Sequence, residues 1–181
     1  GYGNQPVLNL DNPEVKNYIY QITEKWMDPN GDGNPDDGID GWRLDVANDV
    51  KARHPEFWRE WRNFVKEINS EVYITGEIWN NAAQYLQGDE FDAVMNYRFR
   101  DAVLAFIAEE RIDAQAFINR INEPNLDYPN QAVYSLQNLI DSHDTERFLY
   151  SSEGNKDKLK MAAALQFTYP GAPMIYYGTE V

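Results

Sequence analysis

An α/β fold with parallel strands, organised as five or six units of a (β/α)8 barrel, is what this sequence predicts, and three observations carry the prediction. First, apolar strand patterns that each end in a carboxylate occur at Gly38-Ile39-Asp40-Gly41-Trp42-Arg43-Leu44-Asp45-Val46, Glu71-Val72-Tyr73-Ile74-Thr75-Gly76-Glu77-Ile78-Trp79 and Leu136-Gln137-Asn138-Leu139-Ile140-Asp141-Ser142-His143-Asp144. Second, Asp45 to Glu77 is 32 residues and Glu77 to Asp144 is 67, against roughly 31 per unit for a barrel of about 250. These are steps of one unit and of two. Third, the strand that the longer step skips is present, at Phe91-Asp92-Ala93-Val94-Met95-Asn96-Tyr97. A chain of 181 residues accommodates five or six such units and not eight, which reads as one part of a larger barrel.

The residues up to Asp11 read as irregular. Asn12-Pro13-Glu14 opens the first helix, with an Asn cap, Pro at the first position and an acid in the first turn. Helical spacing carries it to about Met27 and predicts that Val15, Tyr18, Ile19, Ile22 and Trp26 face the core. In the polar loop that follows, Asp28, Asn30, Asp32 and Gly33 match the first half of a calcium loop, D-x-N-x-D-G, while Ile39 stands where a bidentate Glu would fall. Two readings are open: calcium on Asp28, Asn30 and Asp32, or a connector of Asx turns broken by Gly and Pro. In the next strand Arg43 and Asp45 are two residues apart and share a face, so Arg43 can pair with a carboxylate that the flanking Ile39, Trp42, Leu44 and Val46 predict to be buried.

His54-Pro55-Glu56 opens a helix whose Phe57, Trp58, Trp61, Phe64, Val65 and Ile68 are expected in the core. After the Phe91 strand come a helix from about Arg98 to Glu110, with Ala102, Val103, Phe106 and Ile107 inward, and a shorter one from Asp113 to Glu123. Pro124 to Asn130 reads as a turn-rich connector. The last helix spans Asn155 to Tyr169, and Pro170-Gly171-Ala172-Pro173 introduces a final strand, Met174-Ile175-Tyr176-Tyr177.

Net charge is −14 with no run of Lys or Arg, which argues against a nucleic-acid or anionic-membrane partner and suits a neutral, hydroxyl-rich substrate. Without cysteine there is neither a disulfide framework nor a thiol nucleophile. No apolar run approaches the length of a membrane span, and the opening residues do not read as a signal peptide.

Side chains at the C-terminal ends of barrel strands converge on one site, so Asp45, Glu77 and Asp144 are expected to meet. Two carboxyl groups across a scissile bond are the machinery of glycoside hydrolysis. Asp45, beside Arg43, is expected to stay anionic and act as nucleophile. Glu77, with no cation near it in the sequence, is expected to hold a proton and act as acid/base. His143 and Asp144 would hydrogen-bond sugar hydroxyls as charge develops on the ring. Trp79, two residues past Glu77, is placed to stack on a sugar, or else anchors its loop by packing.

Gly41-Trp42-Arg43-Leu44-Asp45, Gly76-Glu77-Ile78-Trp79 and Asp141-Ser142-His143-Asp144-Thr145 resemble the second, third and fourth signature regions of glycoside hydrolase family 13, the α-amylase family. The resemblance covers essentially the whole chain. It implies a retaining hydrolase of α-glucosidic bonds, with Asp45 as nucleophile, Glu77 as acid/base and Asp144 as the carboxylate that stabilises the transition state. Arg43 and His143 match the family's further site residues, and with Trp79 and Asn48 they are the expected substrate-binding set. Asp45 to Val50, Gly88 to Tyr97 and Asp141 to Phe148 are most similar to the neopullulanase, cyclomaltodextrinase and maltogenic amylase group. That group usually has Glu where this chain has Asp49 and His where it has Asn80, near the leaving-group side. Gln5-Pro6-Val7-Leu8-Asn9 resembles the fifth region in part, and Gly178-Thr179-Glu180-Val181 resembles the end of the eighth strand.

The resemblance thus implies the C-terminal part of the catalytic barrel, about strands 4 to 8, with the first three strands and the first signature region absent. The expected substrates are maltodextrins, cyclodextrins or pullulan, cut at α-1,4 bonds and with α-1,6 bonds as a second class. No cofactor is required, and calcium is the one metal the loop suggests. Weak or no turnover is expected of this piece alone, and uncovered strand edges predict self-association. Two alternatives stand against this reading. A silent carbohydrate-binding protein would be expected to have lost a carboxylate, and all three stand here; a lyase or aldolase would need a Schiff-base Lys at a strand end or a phosphate-binding Gly pattern.

Overall fold

The computed structural model describes residues 8–181, so Gln5, Pro6 and Val7 of the opening motif lie outside the described residues. The chain divides into two compact units, one running to Glu77 and including Gly88–Asp92, the other made of Ile78–Gln87 and Ala93–Val181.

In the first unit, α1 (Pro13–Met27) starts where the sequence places it, with the Asn12 side chain accepting from the Glu14 N–H. Its buried face differs from the apolar stripe. Tyr18 and Trp26 are exposed, and the fully covered residues are Thr23 and Met27. A Thr is invisible to a count of apolar side chains, yet this one is satisfied internally: its hydroxyl donates to the Ile19 carbonyl and accepts from the Trp61 indole, at 2.9 and 3.0 Å.

β1 (Gly41–Leu44) and β2 (Tyr73–Gly76) pair in parallel, Gly41 opposite Tyr73 and Leu44 opposite Gly76. The crossover between them holds α2 (Ala47–Arg53), a short helix the sequence did not announce, and α3 (Phe57–Ile68). On α3 the predicted core residues Phe57, Trp58, Trp61 and Val65 are buried. The indoles make edge contacts, Trp58 with Trp61 at 5.9 Å and Trp58 with Phe91 at 5.5 Å, and Trp58 donates to the Ala47 carbonyl. A Cβ on Gly76 would stand 2.5 Å from the Phe91 ring, so glycine is what allows β2 to close on Phe91 one residue before Glu77.

In the second unit, β3 (Ala93–Asn96), β4 (Gln137–Asn138) and β5 (Ala172–Pro173) form a parallel sheet, with Asn96 opposite Asn138 and Asn138 opposite Pro173. β4 is shorter than its apolar run. The final strand pairs two residues earlier than predicted, and Met174 to Tyr177 lie beyond it. A buried amide network sets these positions. Asn96 Nδ2 donates to Asn138 Oδ1 at 2.8 Å, Asn138 Nδ2 to the Pro170 carbonyl at 2.9 Å, and Gln166 Nε2 to the carbonyls of Asn138 and Met174.

α4 (Tyr97–Val103) continues into a π-helical turn, Leu104–Ala108, where the sequence read one helix to Glu110. Val103, Ile107, Ile121, Ile140 and Phe148 meet in the core of this unit. α5 (Ala114–Asp127) runs through Pro124, which the sequence placed in a connector. The last turn is held from outside the helix: Arg98 pairs with Glu123 and Asp127, each at 2.7 Å. Proline costs the helix a hydrogen bond there, and two charge-assisted contacts offset it. α6 (Asn130–Ser135) and α7 (Phe148–Ser151) are further short helices without a clear sequence signal, whereas α8 (Lys156–Thr168) matches its prediction.

Candidate active site

The parallel pairing of β1 with β2 brings Arg43, Asp45 and Glu77 together. The ladder ends with the Glu77 N–H donating to the Leu44 carbonyl at 2.9 Å, so the first residue past β2 lies beside the exit of β1. Arg43 makes an ion pair with Asp45 through Nη1, and its Nη2 stands 3.2 Å from Glu77 Oε2. Glu77 Oε2 also accepts the Val46 N–H at 2.9 Å. One guanidinium therefore bridges two carboxylates, the arrangement that lets both stay close without mutual repulsion deciding the geometry.

One expectation changes here. Asp45 was predicted to be buried; its side chain is 71% exposed, while that of Glu77 is 7% exposed. β1 ends at Leu44 and the chain turns at once through Val46, which leaves Asp45 at the rim. Glu77 has no cation near it in the sequence, and the structure supplies one from the adjacent strand, Arg43. The expected Arg43–Asp45 pair is present.

Asn48 is exposed, and its amide donates to Asp49 at 3.2 Å. In the polar loop, Asp28 accepts from the N–H groups of Gly31, Asp32 and Gly33, Asn30 from Asp32 and Asp32 from Asn34. These are Asx turns, with the side-chain oxygens of Asp28, Asn30 and Asp32 directed at their own loop. Among the described residues no group of three or more His, Cys, Asp and Glu side chains is arranged to hold a metal ion.

In the second unit, the loop after β4 carries His143 and Asp144, with His143 Nε2 2.9 Å from Asp144 Oδ2 and both side chains about half exposed. The loop is built by its own polar residues. Asp141, 1% exposed, accepts the Phe148 N–H at 3.0 Å and the Thr179 hydroxyl at 2.7 Å; Thr145 Oγ1 accepts the Ser142 N–H. Sequence reasoning assigned no role to Asp141, although its place inside the Asp141-Ser142-His143-Asp144 motif was the available signal. Trp79 packs by one face on Tyr97, with ring centroids 3.8 Å apart and 12° between planes, and the residue is 41% exposed.

A profile for the alpha amylase catalytic domain matches residues 1–181. The chain belongs to the α-amylase family. Neopullulanase 2 of Thermoactinomyces vulgaris is 48% identical over 176 residues, which cover 97% of this chain and 28% of that protein. A cyclomaltodextrinase of Bacillus sp is 47% identical over 176 residues, 97% of this chain and 30% of the relative. Among solved structures, the cyclic alpha-maltosyl-(1→6)-maltose hydrolase from Arthrobacter globiformis, in complex with maltose, superposes with a TM-score of 0.88 at 39% identity, over 97% of this chain and 38% of that one. The chain thus spans under a third of the length of these two sequence relatives. Its parallel strands and helices are part of the α-amylase (β/α)8 barrel, and the relatives bear the names of the group its motifs resemble.

Proposed function

We propose that the protein carrying this chain hydrolyses α-glucosidic bonds with retention of configuration, acting on maltodextrins, cyclodextrins or pullulan. The observation that carries this reading is the Arg43 bridge between Asp45 and Glu77 at the ends of two adjacent parallel strands. In the first step Asp45 attacks the anomeric carbon while Glu77 protonates the departing glycosidic oxygen, leaving a glycosyl ester on Asp45. In the second, Glu77 takes a proton from water, which attacks the same carbon and releases Asp45. The exposed carboxylate suits a nucleophile that must reach a sugar ring, and the buried one suits a group that carries a proton. Asp144 and His143 supply hydrogen bonds to the ring as positive charge develops, and Trp79 stacks on an adjacent sugar. The chemistry draws on carboxylates and a guanidinium and needs no cofactor. The names of the relatives support cyclodextrin and pullulan as substrates, with α-1,6 bonds cut beside α-1,4 bonds.

The test replaces Asp45 by Asn in the whole protein and measures release of reducing sugar from β-cyclodextrin, pullulan and soluble starch together with oligosaccharide binding. Turnover is expected to fall by several orders of magnitude while binding persists. Binding by an unsubstituted protein that turns over none of the three substrates would establish a carbohydrate-binding protein in place of a hydrolase. The 181-residue chain alone is expected to turn over weakly or not at all.

A further inference from the structure

Glu90 is wholly buried and takes no part in the two steps of hydrolysis. Its Oε1 lies 2.5 Å from Lys51 Nζ on α2 and 3.5 Å from Arg59 Nη2 on α3, and its main-chain carbonyl accepts from Arg62 Nη1 at 3.4 Å. A buried ion pair often stabilises a fold no more than apolar side chains of the same size would, so stability alone is a weak account of this one. The neighbouring pairs show where its effect falls. α3 is fastened to the same segment without Glu90: Arg59 holds Asp89 at 2.6 Å, and Arg62 and Lys66 hold Asp92 at 2.8 and 3.2 Å. α2 reaches the segment through Lys51, whose side chain is 16% exposed, and α2 is the helix that needs the tie. Its seven residues are too few for a helix to hold its shape unaided, and it begins at Val46, which lies in the left-handed region and offers no capping side chain. The Trp58 indole pins the Ala47 carbonyl at one end, and His54 at the other faces Asp11 at 2.9 Å, a carboxylate that is 79% exposed. The pair of Lys51 with Glu90 is a buried hold on the middle of the helix.

We propose that Glu90 is a positioning residue: through Lys51 it fixes α2, and so sets how firmly the protein grips the sugar on the leaving-group side of the cleaved bond. The inference rests on the hydrolase reading given above. Val46 alone separates Asp45 from α2, so the helix starts where the reaction occurs. Its first turn carries Asn48, exposed, whose amide donates to Asp49 at 3.2 Å. Lys51 follows Asn48 by three residues, which makes the two neighbours on the helix surface. Rotation or fraying of α2 therefore displaces Asn48 and Asp49. Asp45 and Glu77 keep their places, because the β1–β2 ladder and the Arg43 guanidinium hold them.

Two measurements on the whole protein decide it. Hydrolysis of maltotriose releases a glucose from the leaving-group side, whereas α-maltosyl fluoride presents fluoride there and no sugar. In Glu90→Gln, kcat/KM for maltotriose should fall about ten-fold, mostly through KM, while that for α-maltosyl fluoride should change less than about two-fold. Lys51→Met/Glu90→Gln removes both charges, leaves no buried ion of this pair unmatched, and should show the same split. Equal losses on the two substrates, as a smaller folded fraction would give, or no loss on either, overturn the proposal. Hydrogen–deuterium exchange followed by mass spectrometry reads the helix directly. In both variants the peptide 47–54, in which the His54 N–H donates to the Val50 carbonyl, should exchange about ten-fold faster than in the parent, and the peptide 57–69 within about two-fold of it. Unchanged exchange over 47–54 overturns the proposal whatever the activity. A parent that hydrolyses neither compound refutes the hydrolase reading instead, and the exchange experiment still rules on whether Glu90 holds α2.

Discussion

Asp141 is the residue whose replacement tests most directly how the loop bearing His143 and Asp144 is held. Its carboxylate is 1% exposed and accepts the Phe148 N–H through Oδ2 and the Thr179 hydroxyl through Oδ1, at 3.0 and 2.7 Å. Asp141→Asn keeps the shape: its Oδ1 can still accept the Phe148 N–H while its NH2 donates to the Thr179 hydroxyl, whose own proton goes to the Tyr176 carbonyl. The variant therefore keeps two bonds but takes the charge out of both, which weakens each by about 1–1.5 kcal/mol. Relief from desolvating a charge offsets part of that loss. A net destabilisation of about 2 kcal/mol follows, or a fall in Tm of roughly 4–8 °C for a domain of this size. Thr179→Val removes the hydroxyl alone and should cost about 1 kcal/mol. Because one substitution weakens and the other removes the same Asp141–Thr179 bond, the double variant should fall short of additivity by about 1 kcal/mol. Thermal unfolding by circular dichroism, with calorimetry to check two-state behaviour, measures all three. Strict additivity, or a loss below about 0.5 kcal/mol in Asp141→Asn, would show that the two bonds do not hold the loop.

Other expectations follow from single features. Trp79→Ala removes the ring that stacks on Tyr97 and should raise KM for maltotriose about ten-fold with a smaller change in kcat, while Trp79→Phe should recover part of it; an unchanged KM would mean that Trp79 only anchors its loop. Burial pushes the Tyr73 hydroxyl up to about 12, above its unfolded value near 10, so the stability it contributes is complete below pH 10 and is lost as pH rises toward 12. Alkaline unfolding should therefore be shallower in Tyr73→Phe than in the parent, and equal slopes would remove Tyr73 from the account. Met161 and Phe167 are more than half exposed on α8, and the chain should self-associate through such surface; sedimentation over a concentration series should show Met161→Lys/Phe167→Glu less associated than the parent, and a parent that stays monomeric throughout would sink the expectation.

Much of this fold was legible because the physics that sets it is local. Asn12-Pro13-Glu14 starts a helix through its own cap, and Trp58 and Trp61 are buried because they lie on one face of α3. Where a distant partner decides, the sequence was silent or misleading. Thr23 faces the core because the Trp61 indole completes its hydrogen bonds, and α5 crosses Pro124 because Arg98 secures the turn beyond it. α2, α6 and α7 span seven, six and four residues, too few for periodicity to register.

The candidate site divides in the same way, between which residues act and how they are held. Carboxylates at strand ends could be found by spacing alone, since the barrel delivers every strand end to one face. Their mutual geometry depends on register. Arg43 sits opposite Thr75, which puts Glu77 beside Asp45 and within 3.2 Å of the guanidinium. A slip of one residue between β1 and β2 would turn Glu77 to the other face of the sheet and present Ile78 to Arg43, leaving the guanidinium with an apolar neighbour. The hydrogen bonds from Tyr73 N–H to the Asp40 carbonyl and from Glu77 N–H to the Leu44 carbonyl close the two ends of the ladder and exclude that slip. The nine-residue pattern from Gly38 to Val46 marks Asp45 as a candidate nucleophile, but only the pairing of β1 with β2 turns Arg43 into the partner of both carboxylates.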